Sequence, residues 1–193
     1  MIFGNLKQLD KRDFFFIFAL FIFSFVVYKT IIAPYSHNHG VIKLTVIQNN
    51  VGIANIDQPR NIQNQNSFYV NILDFTQSNS SLSHSQLGNI GYSQNFFIDF
   101  ETKLVLSEDK NISFTISSDD GFNLLVNNTN VLSYKTHRPL MSNTISVVLN
   151  KGVHNLKLNY YQGGGQLGIK AEYKIDNQTY FIGKDSEFVQ FMQ

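Results

Sequence analysis

The chain contains no cysteine and no tryptophan, only three prolines, and few charges: Asp, Glu, Lys and Arg make up 15% of its 193 residues. Without cysteine there is no disulfide framework and no thiolate metal site, although the compartment is left open. A formal net charge of +1 lacks the basic footprint that neutralises phosphates, which excludes a nucleic-acid binder. Walker, Gly-x-Ser-x-Gly and His-Glu-x-x-His patterns are all missing, and the five histidines are scattered. Catalysis needs converging acid, base or nucleophile groups. None is evident, so the protein is expected not to be an enzyme. Internal repeats are absent too, and no interior stretch has a helical period. What remains is 43% hydrophobic, enough for a core, and rich in Phe, Asn, Gln and Ser, a profile suited to strands and turns.

Residues 1–13 are short and mostly polar, with Lys7, Lys11 and Arg12 in their second half. Residues 14–33 form an apolar run interrupted by Lys29. As a helix about 20 residues long it would span roughly 30 Å, the hydrocarbon thickness, and Lys29 near its far end can snorkel to the headgroups. Pro34 after Ala33 makes a poor cleavage site for a signal peptide. An interfacial helix would show a polar face, which this stretch lacks. The expectation is therefore a cytoplasmic tail (1–13), an uncleaved signal anchor in membrane lipid (14–33), a linker (34–39) and an extracytoplasmic domain (40–193). Basic residues ahead of the span put the N-terminus in the cytoplasm, with a bacterial-type inner membrane as the location and the C-terminal domain periplasmic or extracellular. His37 and His39, two apart in the linker, are too few for a metal clip and read as solvated.

From residue 40 the pattern is β. Residues 41–47 alternate loosely as a first strand, and 67–75 recover β character after an Asn- and Gln-rich connection at 48–66. A second long loop covers 76–94, and His84 within it reads as solvated. Alternation then becomes regular. Phe96, Ile98, Phe100, Leu104 and Leu106 share one parity, and Phe97, Asp99, Glu101 and Lys103 the other, which is the wet face. Further strands are predicted at 111–117, 122–126, 144–149, 153–161, 167–175 and 179–182, with a final strand or docking tail at 187–192. Asn127-Asn128 and Asp176-Asn177 are turn signals, because Asn and Asp tolerate positive φ. Many short strands with turns every eight to twelve residues or so predict an all-β antiparallel sandwich or barrel.

The point around which these strands are organised is Ser117-Ser118-Asp119-Asp120-Gly121-Phe122. Two adjacent carboxylates and a glycine make a sharp acidic corner. It reads either as a tight turn, with Asp bonding its own backbone, or as a hard-cation or polyol site, since Ca²⁺ prefers carboxylate oxygens.

Four pieces in order carry a family resemblance: Ser117-Ser118-Asp119-Asp120-Gly121; Leu124-Leu125-Val126-Asn127-Asn128; Val147-Val148-Leu149-Asn150-Lys151-Gly152-Val153-His154; and the strand 156–161 followed by Gln162-Gly163-Gly164. Together they resemble the PA14 family, named for the anthrax-toxin protective antigen. The resemblance implies a two-sheet, jelly-roll-like antiparallel β-sandwich, similar to carbohydrate-binding modules. In fungal adhesin members a paired Asp holds Ca²⁺, which bridges to sugar hydroxyls, and an Asn on a later loop completes the site. Carried over, Asp119 and Asp120 become candidate metal ligands. With Gly163, Gly164, Gly165 and Gln166 they also become candidate ligand-binding residues, although that loop has no Asn. Two function classes follow. One is a membrane-anchored module recognising glycan or cell-wall polymer. The other is a non-catalytic scaffold docking an envelope protein in a secretion, motility or adhesion assembly.

Overall fold

A computed structural model describes residues 11–27, 40–78 and 81–193. The chain divides into two compact units, Met1–His39 and Gly40–Gln193. In the first, helix α1 (Lys11–Val27) is 17 residues long, and Phe15, Phe16, Phe18, Phe21 and Phe23 are all well exposed. Its described surface is thus apolar on all sides, unlike a helix with one core-facing stripe. No helix among the described residues is long and apolar enough to cross a membrane. Of the expected span 14–33, residues 28–33 lie outside the described residues, as do the linker 34–39 with its two histidines and the tail 1–10.

The second unit is an all-β sandwich of two seven-stranded antiparallel sheets. The first sheet runs β2 (Ile62–Val70), β1 (Ile42–Asn49), β6 (Phe96–Leu106), β11 (Gly152–Gln162), β8 (Phe122–Val126) and β9 (Thr129–Tyr134), with β14 (Val189–Met192) beside β6. The second runs β10 (Met141–Leu149), β7 (Lys110–Asp119), β12 (Leu167–Ile175), β3 (Asp74–Ser78), β4 (Ser83–His84) and β5 (Gly88–Asn89), with β13 (Gln178–Phe181) beside β12. Period-two alternation fills the space between them. Phe96, Ile98, Phe100, Leu156, Leu158 and Tyr160 from the first sheet meet Ile112, Phe114, Ile116, Ile169, Ala171 and Tyr173 from the second, all buried in one cluster. Asn127 and Asn128 (φ 51 and 64) and Asp176 and Asn177 (φ 46 and 66) make the two tight hairpins, as their tolerance of positive φ predicts.

Four expectations need correction. Strand β2 begins at Ile62, so the Gln- and Asn-rich residues 62–66 are strand and not loop. The predicted strand 67–75 is divided between the end of β2 and the start of β3. The expected wet face of β6 is also covered in part: Phe97 is buried with Ile47, Ile53, Ile56 and Tyr161 in a second, smaller core. Residues 50–61 make that cover. They are pinned by Arg60, whose guanidinium grips the Asp99 carboxylate at 2.5 and 2.7 Å and lies over the Phe97 ring.

The fourth correction is His84, which is buried. Its Nε2–H donates to the Ile72 carbonyl at 3.1 Å, Nδ1 accepts the Gln86 N–H at 3.1 Å, and the ring packs on Phe75. Burial lowers its pKa below the usual histidine value. The folded form therefore binds fewer protons than the unfolded chain, and this contribution to stability is lost as pH falls below the unfolded value of about 6.5. His84→Gln, which keeps a donor but cannot titrate, is expected to remove that component of the acid sensitivity in urea unfolding measured between pH 7.5 and 5. An unchanged slope would refute it.

Candidate functional site

Three connections cross from one sheet to the other at the same end of the sandwich. The corner Asp120-Gly121 links β7 to β8, residues 135–140 link β9 to β10, and residues 163–166 link β11 to β12. Register fixes their closeness: Asp119 pairs with Gly168, Met141 with Ser118, Tyr160 with Phe122 and Phe122 with Tyr134. The peptide bond between Asp119 and Asp120 is cis. Asp119 and Asp120 are 5% and 2% exposed, so the carboxylates sit in the end of the core and not on its surface.

Asp120 ties the three connections together. Its Oδ2 accepts the Gly163 N–H at 2.8 Å, its Oδ1 accepts the Arg138 N–H at 3.3 Å, and His137 Nδ1 lies 3.1 Å from Oδ1. Arg138 is buried as well. It donates from Nε to the Ser118 carbonyl at 3.1 Å, from Nη2 to Ser118 Oγ at 2.7 Å, and from Nη1 to Asn143 Oδ1. Its guanidinium centre lies 4.3 Å from the Tyr134 ring centroid. Ser118 Oγ in turn donates to the Asp120 carbonyl at 2.6 Å. Below the corner, the buried Tyr160 hydroxyl lies against the Asp119 carbonyl and within 2.6 Å of Gln162 Oε1. The Gln162 amide spans the last loop, donating to the Gly164 and Gln166 carbonyls at 3.0 and 2.9 Å.

Two glycines are required by space. A Cβ on Gly121 would lie 2.5 Å from the Tyr161 ring and 2.7 Å from the Tyr134 carbonyl. One on Gly163 would lie 2.2 Å from His137 Cε1 and 2.8 Å from the Ile53 carbonyl. Gly165, at φ +90 with nothing near its Cβ position, is open to solvent-side approach. Of the six candidate residues, Asp119, Asp120 and Gly163 meet. Gly164, Gly165 and Gln166 form the outer part of the same loop. Sequence reasoning missed Arg138, Ser118, Gln162 and Tyr160. The only available signal was a basic pair, His137-Arg138, set before Pro139 in a sheet-to-sheet connection.

The donors supply only part of the calcium site that the resemblance implies. Ca²⁺ takes about six to eight oxygens, and only two carboxylates are offered. Both oxygens of Asp120 already accept N–H groups, and Asp119 accepts the Leu140 N–H. The Gly164 and Gln166 carbonyls are taken by Gln162. Among the described residues no three His, Asp or Glu side chains gather around a point, and no fully buried oxygen of the corner lacks a partner. Charge compensation comes from the chain itself, through Arg138. It is incomplete, because burial first and the charge of Asp120 second push the Asp119 carboxyl up to about 6.

A groove of about 520 Å³ opens beside the corner, lined by Asp74, Ser117, Leu140, Ser142, Gly168 and Lys170. It is contiguous with the corner: Leu140 holds Asp119 through its N–H, and Gly168 is the register partner of Asp119.

The fold is that of PA14 domains. The PA14 domain of the MpAFP antifreeze protein superposes with a TM-score of 0.61 at 14% identity, over 77% of this chain and 89% of that one. A PA14 sugar-binding domain from an RTX adhesin gives 0.58 at 14% identity, over 73% and 93%. The Epithelial Adhesin 9 A domain from Candida glabrata, solved in complex with Galb1-4GlcNAc, gives 0.56 at 9% identity, over 78% and 88%. No family model matches the sequence, and no curated protein matches it.

Two outcomes test the corner. Arg138→Met removes the compensating charge and three side-chain bonds, so a loss of ~3 kcal/mol in urea unfolding is expected, the range for breaking a buried charged pair. Asp119 holds its proton more tightly folded than unfolded, so its contribution to stability falls as pH rises from 3.8 to about 6. Asp119→Asn should flatten that part of the stability–pH curve, and a curve parallel to wild type would contradict the assignment.

Proposed function

We propose that this chain is a non-catalytic carbohydrate-recognition module. Neutral glycan or cell-wall polymer would be met in the groove beside the Asp119–Asp120 corner and along the loop 163–166. The observation that carries this reading is the convergence of three sheet crossings on one fixed polar corner with an open groove next to it. Two domains of the same fold, the RTX adhesin domain described as sugar-binding and the adhesin domain in complex with Galb1-4GlcNAc, support it. Ser117 and Ser142 supply a hydroxyl pair bonded at 2.7 Å, Asp74 supplies an acceptor, Lys170 supplies further N–H donors beside its 2.9 Å contact with Glu172, and exposed Leu140 supplies an apolar surface. That mixture matches the polar edge and apolar face of a pyranose. Gly164 and Gly165 at the loop tip leave room for close approach.

A second cleft, of about 230 Å³, lies between Lys43, Tyr69, Glu101, Lys103 and Lys157. Its Lys157 pairs with Glu101 at 3.2 Å and its Lys103 donates to the Gln193 carbonyl at 2.8 Å, and it does not adjoin the corner where the sheet crossings converge. We further propose that residues 14–33 anchor the module in membrane lipid, N-terminus in the cytoplasm and sandwich outside. The apolar surface of α1 and the basic residues before it support this reading.

In this proposal, glycan binding does not require calcium. An ion bound at a hundred times its dissociation constant would add ~2.7 kcal/mol and raise the melting temperature by several degrees. Millimolar Ca²⁺ is expected to leave the melting temperature of the Gly40–Gln193 segment unchanged. A rise that disappears in Asp119→Asn would restore the calcium site. On a glycan array, Asp74→Ala should lower affinity for the glycans bound by wild type about tenfold, or ~1.4 kcal/mol. Binding of no glycan at all would remove the carbohydrate reading.

A further inference from the structure

Strand β10 ends the second sheet. Its inner side pairs with β7 over nine consecutive residues, from Met141 opposite Ser118 to Leu149 opposite Lys110, without a bulge. Its outer side has no strand neighbour among the described residues, and no backbone bond outside the β7 ladder reaches it. Edge strands are ordinarily blunted by lysine, proline, bulges, shortness or a covering element, because a free row of N–H and C=O groups invites another strand. β10 has none of these. Its sequence, from Met141 to Leu149, contains no charge, proline or glycine, and four of its nine residues are β-branched.

Among the other described edges, β9 meets β8 through a register shift, β2 has one at its Asn49–Ile62 end, and β5 has two residues.

The side chains of β10 divide by parity. Ser142, Thr144 and Ser146 lie on the outer face of the sheet, where each pairs its hydroxyl with one on β7: Ser117 at 2.7 Å, Thr115 at 2.8 Å and Ser113 at 2.7 Å. Ile145 and Val147 pack against the core but are only partly buried, which leaves apolar surface along the open rim. Met141 and Val148 are 56% and 74% exposed, and Leu140, just before the strand, is 39% exposed.

We propose that β10 pairs antiparallel with β10 of a second copy of this chain, about a two-fold axis through Thr144, joining the two second sheets into one continuous sheet. The register follows from self-complementarity. With Thr144 opposite itself, Ser142 faces Ser146 of the other copy, so the three central outer-face pairs are hydroxyl on hydroxyl, repeating the ladder already made with β7. On the rim, Met141 meets Val147 and Asn143 meets Ile145. One step further out Val148 meets Leu140, covering the two most exposed apolar side chains of the face that lie in line. An uncharged strand sets no like charges against each other across such an axis. A charged extended peptide would find no partner charge there. A two-fold interface also has the same patch on both sides. The proposal does not rest on the carbohydrate reading.

The chain has no cysteine, so introduced cysteines report unambiguously. Residues directly opposite across an antiparallel pair have Cα atoms ~4.5–5.5 Å apart, within disulfide reach. In the full-length chain in detergent, Thr144→Cys should form a covalent dimer under mild oxidation. Lys174→Cys, on the outer face of β12, should not. Ser142→Cys alone should fail, because the two copies of that residue lie ~13 Å apart along the strands. Mixing Ser142→Cys with Ser146→Cys chains should succeed. Adding Thr144→Lys to both partners of the mixture sets two ammonium groups face to face and should cut the crosslink at least tenfold, with the β-sheet circular dichroism unchanged. The proposal is overturned if Thr144→Cys crosslinks no better than Lys174→Cys. It is equally overturned if Ser142→Cys alone crosslinks as well as the mixture, or if an unrelated extended peptide blocks the edge while the chain stays monomeric.

Discussion

The Asp120 carboxylate holds the end of this sandwich closed. Two sheets stacked about 10 Å apart must be joined by chain that leaves one ladder and enters the other, and each crossing exposes backbone groups no strand satisfies. Here three crossings solve that problem together. One lends the carboxylate, and the other two lend the N–H groups of Gly163 and Arg138. Arg138 then returns to Ser118 on the first crossing, and Tyr160 supports the corner from inside the core. A buried network of this kind holds a single arrangement only if every member is satisfied. The same bonds that finish the fold therefore also fix the site, and the groove beside the corner has a rigid wall without needing a ligand to form it.

Strands that are half-buried announce themselves by period two, and 96–106, 111–117, 153–161 and 167–175 could be read for that reason. The Gln- and Asn-rich start of β2 could not. An edge strand with both faces wet carries no alternation, and its composition is that of a loop. Ile53 and Ile56 were invisible for a related reason: two apolar residues in a polar connection have no period, and only the surface they cover, Phe97 and Tyr161, gives them meaning. Phe97 itself broke the alternation of β6 in plain view, as a large apolar residue on a face read as wet. At the site, Asp119, Asp120 and Gly163 were legible through local turn chemistry and family order. Arg138 and Tyr160 were not, because their partners lie across the sheet crossings, 20 and 41 residues away in sequence; Gln162 bonds within its own loop, but no pattern marks a loop glutamine as a brace.

The scarcity of charge recurs throughout. The few ionic groups are mostly spent on holding parts of the chain together. Arg60 clamps a flap through Asp99, Lys135 reaches Asp57 at 2.6 Å, and Lys110 joins Glu108 and Asp176. On the outer face of the second sheet, β7 and β10 carry hydroxyls paired with one another, and Lys170, Glu172 and Lys174 of β12 stand beside them.

Two buried carboxylates side by side demand positive charge, and a protein can import it as a metal or build it in. In this chain N–H groups bond Asp120, a glutamine amide bonds the loop carbonyls, and the Arg138 guanidinium lies near the pair. One internal cation for two carboxylates leaves a deficit, and the raised pKa of Asp119 is its direct expression. The corner thus reaches neutrality by taking up a proton on Asp119 as pH falls toward 6.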